Sequence, residues 1–556
     1  MIEKINNTLT KAKELIKDNK IQEALTVLCS LSIKKKNPLY DDVMFEIAKI
    51  YLISEEYSNS LKILKKIKKE NLLPYVYDLI FKIYKLFGDT DSLVKTYKRN
   101  LRYYNQNIEY TKTIIEILIL SNKYRDALKF IFTYIKVYGK DVFLEKKIEE
   151  LYKKICIYIQ NLNIENNYKE TKKFFKNIYG LIPTTQYKIR NILLNEYEIA
   201  SNKIILKSIP RQLTVLLTDR CNLRCIMCNP YNVAKEYYEL SNENCEELLN
   251  IIPYLDRLIL QGGEVLLYGN FYKIIKKASE YNICVEIVTN GLLLNEKILN
   301  ILTNMNSVLT ISIDGFNKKT YEKIRVGGNF DKLIYNLKIL SKIKKEKSNK
   351  MMLRLQMVVM KSNYKQINMA LSFAKKYCFD ELSLIPIRSG VALAKECIFD
   401  LSYDKKIMEF IEVNRNKVEK KADKLNIKLI DKLPNISDSK CIVRNKIEHT
   451  PILKYKDVKI ENICKNTNRK NNNVFCFLPW KTAYYNSVSL LPTCFCPDKE
   501  NKFVYKKNRE SILKCWNAET MLLYRKELIK HKQKLICNEL CLNDIILKKE
   551  KKSIIY

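Results

Sequence analysis

Cys221-Asn222-Leu223-Arg224-Cys225-Ile226-Met227-Cys228 follows directly on the apolar run Leu213–Thr218. The run reads as a buried strand, so three cysteines at spacing C-x3-C-x2-C fall in the loop at its carboxyl end. Three thiolates from one short loop can hold three corners of a cubane 4Fe–4S cluster and leave one iron without a protein ligand. An open iron is a site for chemistry rather than a staple. The competing reading is a zinc knuckle or three unrelated core thiols. Zinc sites usually gather four N or S ligands from paired C-x2-C modules. Here the loop offers three, and the chain has only two histidines, His449 and His531.

Working outward, apolar strands alternate with amphipathic helices between about 210 and 400. The strands are Leu213–Thr218, Arg257–Leu260, Cys284–Thr289, Val308–Ile313, Met352–Val359 and Glu381–Ile385. Such alternation predicts a parallel sheet with right-handed crossovers, whose chemistry sits at the carboxyl ends of the strands. Those ends carry Gln261-Gly262-Gly263-Glu264, Thr289-Asn290-Gly291 and Ser312-Ile313-Asp314-Gly315. Paired glycines let the backbone approach a ligand closely. The stretch Tyr321-Glu322-Lys323-Ile324-Arg325-Val326-Gly327-Gly328-Asn329-Phe330 follows the last of these.

The cysteine loop, the Gly-Gly-Glu segment on the next strand end and the Ser312–Phe330 stretch closely resemble the radical S-adenosylmethionine (SAM) superfamily. The resemblance implies a partial six-stranded (β/α)6 barrel of the TIM type, in the α/β class. It implies that Cys221, Cys225 and Cys228 bind the 4Fe–4S cluster and that Gly262, Gly263 and Glu264 bind the SAM amino group. Asn290 would lie near the ribose, and Ser312 would contact the carboxylate or ribose. Arg325 would neutralise that carboxylate or orient its loop. Asp314 is a further SAM contact or, equally, a cap for the following helix. Met227 would pack on the adenine through its polarizable thioether, and Ile385-Pro386 would line the same pocket. The implied chemistry is reductive cleavage of SAM to a 5′-deoxyadenosyl radical that takes hydrogen from a substrate carbon. No side chain is singled out as catalytic.

Residues 471–550 are rich in cysteine again: Cys476-Phe477-Leu478-Pro479-Trp480, Pro492-Thr493-Cys494-Phe495-Cys496, Trp516-Asn517, Arg525 and Cys537-Asn538-Glu539-Leu540-Cys541. This order resembles the SPASM/twitch extension of the same superfamily. Cys476, Cys494, Cys537 and Cys541 would then ligate one auxiliary 4Fe–4S cluster. The hairpin has Asn486-Ser487-Val488 in place of its usual Gly, and the closing pair is C-x3-C rather than C-x2-C. Too few cysteines remain for a second auxiliary cluster, which favours the one-cluster twitch form. Cys496 is an alternative to Cys494, Cys515 reads as a packed thiol, and a tetrahedral zinc site is the competing reading. The charged, Asn-rich stretch 401–470 reads as a partly helical connector, with no role for Cys441 or Cys464.

The first 200 residues read as helical. Asn19–Leu25, Glu56–Leu61, Asp89–Leu93 and Asn122–Leu128 are alike, and their small residues Ala24, Ser60, Ser92 and Ala127 recur every 32 to 36 positions. The helix before the second segment carries Met44, Ile47, Ala48 and Tyr51 on one face. The period resembles tetratricopeptide repeats, without their Trp and Gly. Four stacked units can bury faces that one alone cannot. The array would offer a surface that grips a peptide or partner, or would serve only as a helical cap on the barrel.

Net charge is +38, from 99 Lys and Arg against 61 Asp and Glu. An anionic partner such as RNA would suit it. Yet Lys, Asn, Ile and Tyr are abundant everywhere and no basic block stands out, so nucleic-acid binding is not expected. Seventeen cysteines and a polar first helix without a signal core suit a reducing cytoplasm, and oxygen-sensitive clusters suit an anaerobe. No apolar run reaches the roughly 20 residues of a membrane span. The expected partners are a peptide or protein substrate and a flavodoxin- or ferredoxin-type reductase. The alternatives are a twitch-type carbohydrate or alcohol dehydrogenase or epimerase, and a non-catalytic scaffold that binds SAM or senses redox state.

Overall fold

The computed structural model of the chain describes residues 2–99, 108–228, 237–346, 350–387, 396, 405–433, 478–485, 490–491, 511–518, 521, 522, 525, 526 and 529. The chain divides into two units, Met1–Asn161 with Lys176–Leu181, and Leu162–Phe175 with Ile182–Tyr556.

The first unit is built of helix pairs: Ile2–Lys17 with Ile21–Cys29, Tyr40–Ile53 with Tyr57–Leu64, Leu73–Leu86 with Thr90–Arg99, and Ile108–Leu120 with Tyr124–Tyr138. Each pair turns on one residue of positive φ: Asn19, Glu55, Gly88 and Asn122. The turn closes the first helix with two backbone bonds. In the first pair, Asn19 N–H donates to the Ile16 carbonyl and Lys20 N–H to that of Leu15, and each later pair repeats both. This arrangement satisfies the carbonyls a helix end leaves free, and Asn and Gly tolerate the left-handed conformation it needs. Counted from the turn, Ala24, Ser60 and Ala127 take equivalent places, and all are fully buried. In the third pair the equivalent residue is Leu93, also buried, and not Ser92. The shift arises because Asp89 accepts a bond from Ser92 N–H at 3.0 Å, which places Ser92 in the first turn of the helix. The same turn closes helices of the second unit, at Asn166, Asn202, Asn282, Cys378 and Asn426. After Asn166 the equivalent residue, Thr171, is buried and bonded to Asn163.

In the second unit, six strands pair in parallel in chain order: β1 (Gln212–Leu216), β2 (Arg257–Gln261), β3 (Cys284–Thr289), β4 (Ser307–Ser312), β5 (Met351–Val359) and β6 (Glu381–Pro386). Helices cross between them, and each buries an apolar stripe against the sheet. Phe271–Glu280, for example, buries Phe271, Ile274, Ile275 and Ala278, the spacing of one helix face. This is the predicted partial barrel.

The sheet is wider than the six strands read from the sequence. A helix, Lys405–Leu425, leads to β7 (Lys428–Asp431), parallel to β6. Part of the expected connector is thus one more helix–strand unit. At the other edge β8 (Thr482–Tyr485) runs parallel to β1 and pairs antiparallel with β9 (Leu490–Leu491).

A buried polar knot ties β8 to the entry of β1. Glu196, fully buried, accepts from Arg211 at 2.7 Å, Lys481 at 2.7 Å and Asn163 at 2.7 Å, while Arg211 also pairs with Asp256 at 2.6 Å. Burial opposes the Glu196 charge, but Lys481 and Arg211 outweigh it and hold its pKa low. The indole N–H groups of Trp480 and Trp516 donate to the Lys203 and Ser208 carbonyls, and Arg525 stacks 4.5 Å from the Trp516 ring. Cys515 is buried beside them, as its packed-thiol reading expects.

Candidate functional site

The cysteine loop leaves β1 and is held on two sides. On one side, Gly263 N–H donates to the Thr218 carbonyl at 2.7 Å and Glu264 N–H to that of Arg220 at 2.8 Å. The paired glycines make this contact possible. A Cβ on Gly262 would stand 2.4 Å from the Thr218 oxygen, and one on Gly263 would stand 2.5 Å from the Asp219 and Arg220 oxygens. The close approach they serve is therefore first to the chain's own loop, where the sequence suggested approach to a ligand. On the other side, Arg224 N–H donates to the Val326 carbonyl at 2.8 Å and Ile226 N–H to that of Ile324 at 2.9 Å. Cys225 thus lies opposite Arg325.

Arg325 is buried, and its guanidinium pairs with fully buried Asp314 at 2.6 Å. Its second terminal nitrogen lies 4.0 Å from Cys225 Sγ. Burial works against the Arg325 charge, but Asp314 and then Cys225 more than offset it and raise its pKa. Asp314 also accepts from Val358 N–H at 2.7 Å. The helix-cap reading of Asp314 is corrected: Asn317 caps the helix Lys318–Ile324 by accepting from Thr320 N–H. Asp314 faces inward because its strand end is covered by the 324–326 segment, so it is spent on Arg325.

Glu264 is fully buried as well. Its carboxylate accepts from Thr289 Oγ1 at 2.7 Å, Asn290 N–H at 2.8 Å and Leu266 N–H at 3.2 Å, which locks the β2 end to the β3 end. Burial pushes its pKa up against these bonds. Asn290 Nδ2 reaches back to Asn222 Oδ1, inside the cysteine loop, at 2.8 Å. Glu264→Ala leaves two buried donors, Thr289 Oγ1 and Asn290 N–H, without this acceptor at about 1–3 kcal/mol each, and the part-buried Leu266 N–H besides. The expected loss of unfolding free energy is about 3 kcal/mol or more, read from the urea midpoint. A loss under about 1 kcal/mol would contradict this reading.

Cys221 and Cys225 are half-buried and Cys228 is exposed. Burial raises the proton affinity of both half-buried thiols, that of Cys225 to about 11, with smaller contributions from their neighbouring cysteines. Such thiols are inert until something positive replaces the proton. Among the described residues, no three Cys, His, Asp or Glu side chains converge as they would around a single ion. A cubane asks for something else, since each cysteine binds a different iron. Three thiols on one short loop, one of them 4.0 Å from a buried guanidinium, fit that donor set.

Ser312 is half-buried at the end of β4. Met227 packs on a small apolar cluster, Ile324, Met360 and Ile387. Ile385 and Pro386 are half-buried at the end of β6. Two contributors were not singled out from the sequence. Asn222 receives the Asn290 bond, and buried Asn363 donates to the Asp314 and Val358 carbonyls at 3.0 and 2.8 Å. Asn363 lies just past β5, and that position at a strand end was its one available signal. Cys476, Cys494, Cys496, Cys537 and Cys541, with Cys441 and Cys464, lie outside the described residues.

Residues 215–373 match the Radical SAM superfamily. The chain carries a radical SAM domain. Enzymes with this domain use a 4Fe–4S cluster and SAM. GTP 3′,8-cyclase of Synechocystis sp. is 30% identical over 190 residues, 33% of this chain and 56% of that protein. Mycofactocin maturase MftC of Mycolicibacterium smegmatis is 27% identical over 135 residues, 24% of this chain and 34% of that protein. The structure of Streptococcus suis SuiB bound to precursor peptide SuiA is similar with a TM-score of 0.42 and 15% identity, over 64% of this chain and 73% of that one. The chain spans only about a third to three fifths of the length of these curated relatives. Among the described residues, no helix is long and apolar enough to cross a membrane.

Proposed function

We propose that the chain is a radical SAM enzyme that modifies a peptide or protein side chain. When bound, the cluster supplies one electron that splits SAM into methionine and a 5′-deoxyadenosyl radical, which removes hydrogen from a substrate carbon. The observation that carries the reading is the three-cysteine loop held between the Gly262-Gly263 turn and the 324–326 segment. Cys221, Cys225 and Cys228 would hold three irons. The main chain of Gly262 and Gly263 would take the SAM amino group, Ser312 and Asn290 its carboxylate and ribose, and Met227 its adenine. Glu264 and Asp314 act from behind, by fixing the strand ends and Arg325. The barrel supports SAM chemistry in general, since its relatives are named as a GTP cyclase and a mycofactocin maturase. The helical repeat favours the peptide, because a stacked array offers a long surface to an extended chain. We place the enzyme in the cytoplasm, with a flavodoxin or ferredoxin as electron donor.

The proposal includes one auxiliary cluster on Cys476, Cys494, Cys537 and Cys541. Anaerobically reconstituted protein should carry on the order of eight irons, and the quadruple Ala variant roughly four. Unchanged iron in that variant, or stoichiometric zinc in the parent, would count against it. Recruitment by the repeat is tested by a chain that starts at residue 141, which keeps the whole helix Val142–Ile164. That helix is retained because Asn163 bonds Glu196. The shortened chain should still cleave SAM without substrate but turn over the native substrate with a higher KM. Full efficiency on that substrate would refute recruitment, and failure to hold a cluster would make the repeat a structural cap.

A further inference from the structure

The turn residues fix equivalent positions along the first unit, and these positions are not filled at random. Next but one before Glu55, Gly88 and Asn122 stand Ile53, Leu86 and Leu120. All three are large and apolar, and they are 51%, 64% and 71% exposed. In a stack of like pairs such positions form a row. One helical turn earlier stand Lys13, Lys49 and Lys82 in the first three pairs and Glu116 in the fourth, and the first pair places Lys17 where the others have an apolar residue. Glu46 serves both Lys13, at 3.8 Å, and Lys49, at 2.6 Å. One carboxylate for two ammonium groups leaves surplus positive charge at that end. Lys82 is matched by Asp78 at 2.8 Å and the fourth pair carries Glu116, so the surplus charge lies over the first two pairs while the apolar row runs over the last three.

We infer that this face binds an extended peptide segment with acidic side chains at one end and apolar side chains at every third position after them. The inference rests on the peptide reading above and names the kind of sequence recognised. The spacing follows from geometry. Stacked helices lie about 8–10 Å apart, and an extended chain advances about 3.3 Å per residue, so one repeat matches roughly three residues. The acidic end answers the Lys13, Lys17 and Lys49 group, and the apolar side chains cover Ile53, Leu86 and Leu120.

The test uses the full chain and three fluorescent peptides of equal length: the phased sequence, a scramble with its apolar residues clustered, and a phased sequence with the acids replaced by Gln. Fluorescence anisotropy should show the phased peptide at least tenfold tighter than the scramble. The triple variant Ile53→Ser, Leu86→Ser, Leu120→Ser changes only exposed residues and should keep its helical circular dichroism while losing at least tenfold in affinity. Lys13→Glu with Lys17→Glu should weaken the acidic peptide and leave the Gln peptide unchanged. Equal binding of phased and scrambled peptides, or a natively helical triple variant that binds as tightly as the parent, would overturn the inference. So would a dimer in sedimentation that the triple variant abolishes and the peptide does not compete, since a second copy would then be the occupant. Because binding is read without turnover, a phased peptide that binds but is never modified would sustain this inference and defeat the proposed reaction.

Discussion

Replacing Cys221, Cys225 and Cys228 together with Ala should reduce 5′-deoxyadenosine formation to background. Each thiol is assigned a different iron, so the variant has no thiolate left on that loop. The cost falls on chemistry rather than folding. Cys228 is exposed, the other two are half-buried, and the loop is held by backbone bonds at Arg224, Ile226, Gly263 and Glu264. Circular dichroism of the iron-free variant should therefore match the parent. Anaerobic incubation with dithionite and SAM, followed by chromatography, reads the outcome, and product at the parental level would remove these cysteines from the reaction.

Arg325→Met should produce the next largest effect, on stability and on cluster retention together. The change strands the Asp314 carboxylate in a fully buried position, which costs about 3–5 kcal/mol for a broken buried pair. Adding Asp314→Asn removes the stranded charge and should recover a large part of that loss, read as the urea midpoint of iron-free protein. Cluster retention should not recover in the double variant, because the guanidinium nitrogen 4.0 Å from Cys225 Sγ is still absent. Equal recovery of both would reduce Arg325 to a structural partner. A single variant as stable as the parent would show that the pair is not formed.

The six barrel strands were legible because each is a short, largely apolar run, the mark of strands covered on both faces. The repeat was legible through its period, though Ser92 attracted a reading that belongs to Leu93, since small residues were counted without the turn that sets their phase. β7 was missed because Lys428-Leu429-Ile430-Asp431 is short and stands in charged surroundings. The knot of Glu196, Arg211, Asp256 and Lys481 joins residues far apart in sequence, and no local pattern announces it. At the site, the cysteines and glycines were evident from spacing, but their supports were not. That Glu264 points into the protein, that Asp314 meets Arg325, and that Arg325 faces Cys225 all depend on which strand ends lie side by side.

The central claim is that this loop, loaded with its cluster, cleaves SAM. The direct measurement is anaerobic reconstitution of the full chain with iron and sulfide, reduction with dithionite, and quantification of 5′-deoxyadenosine and methionine from added SAM. The account predicts both products in equal amounts, dependent on reductant. A cluster-loaded, reduced protein that binds SAM and leaves it intact would contradict it.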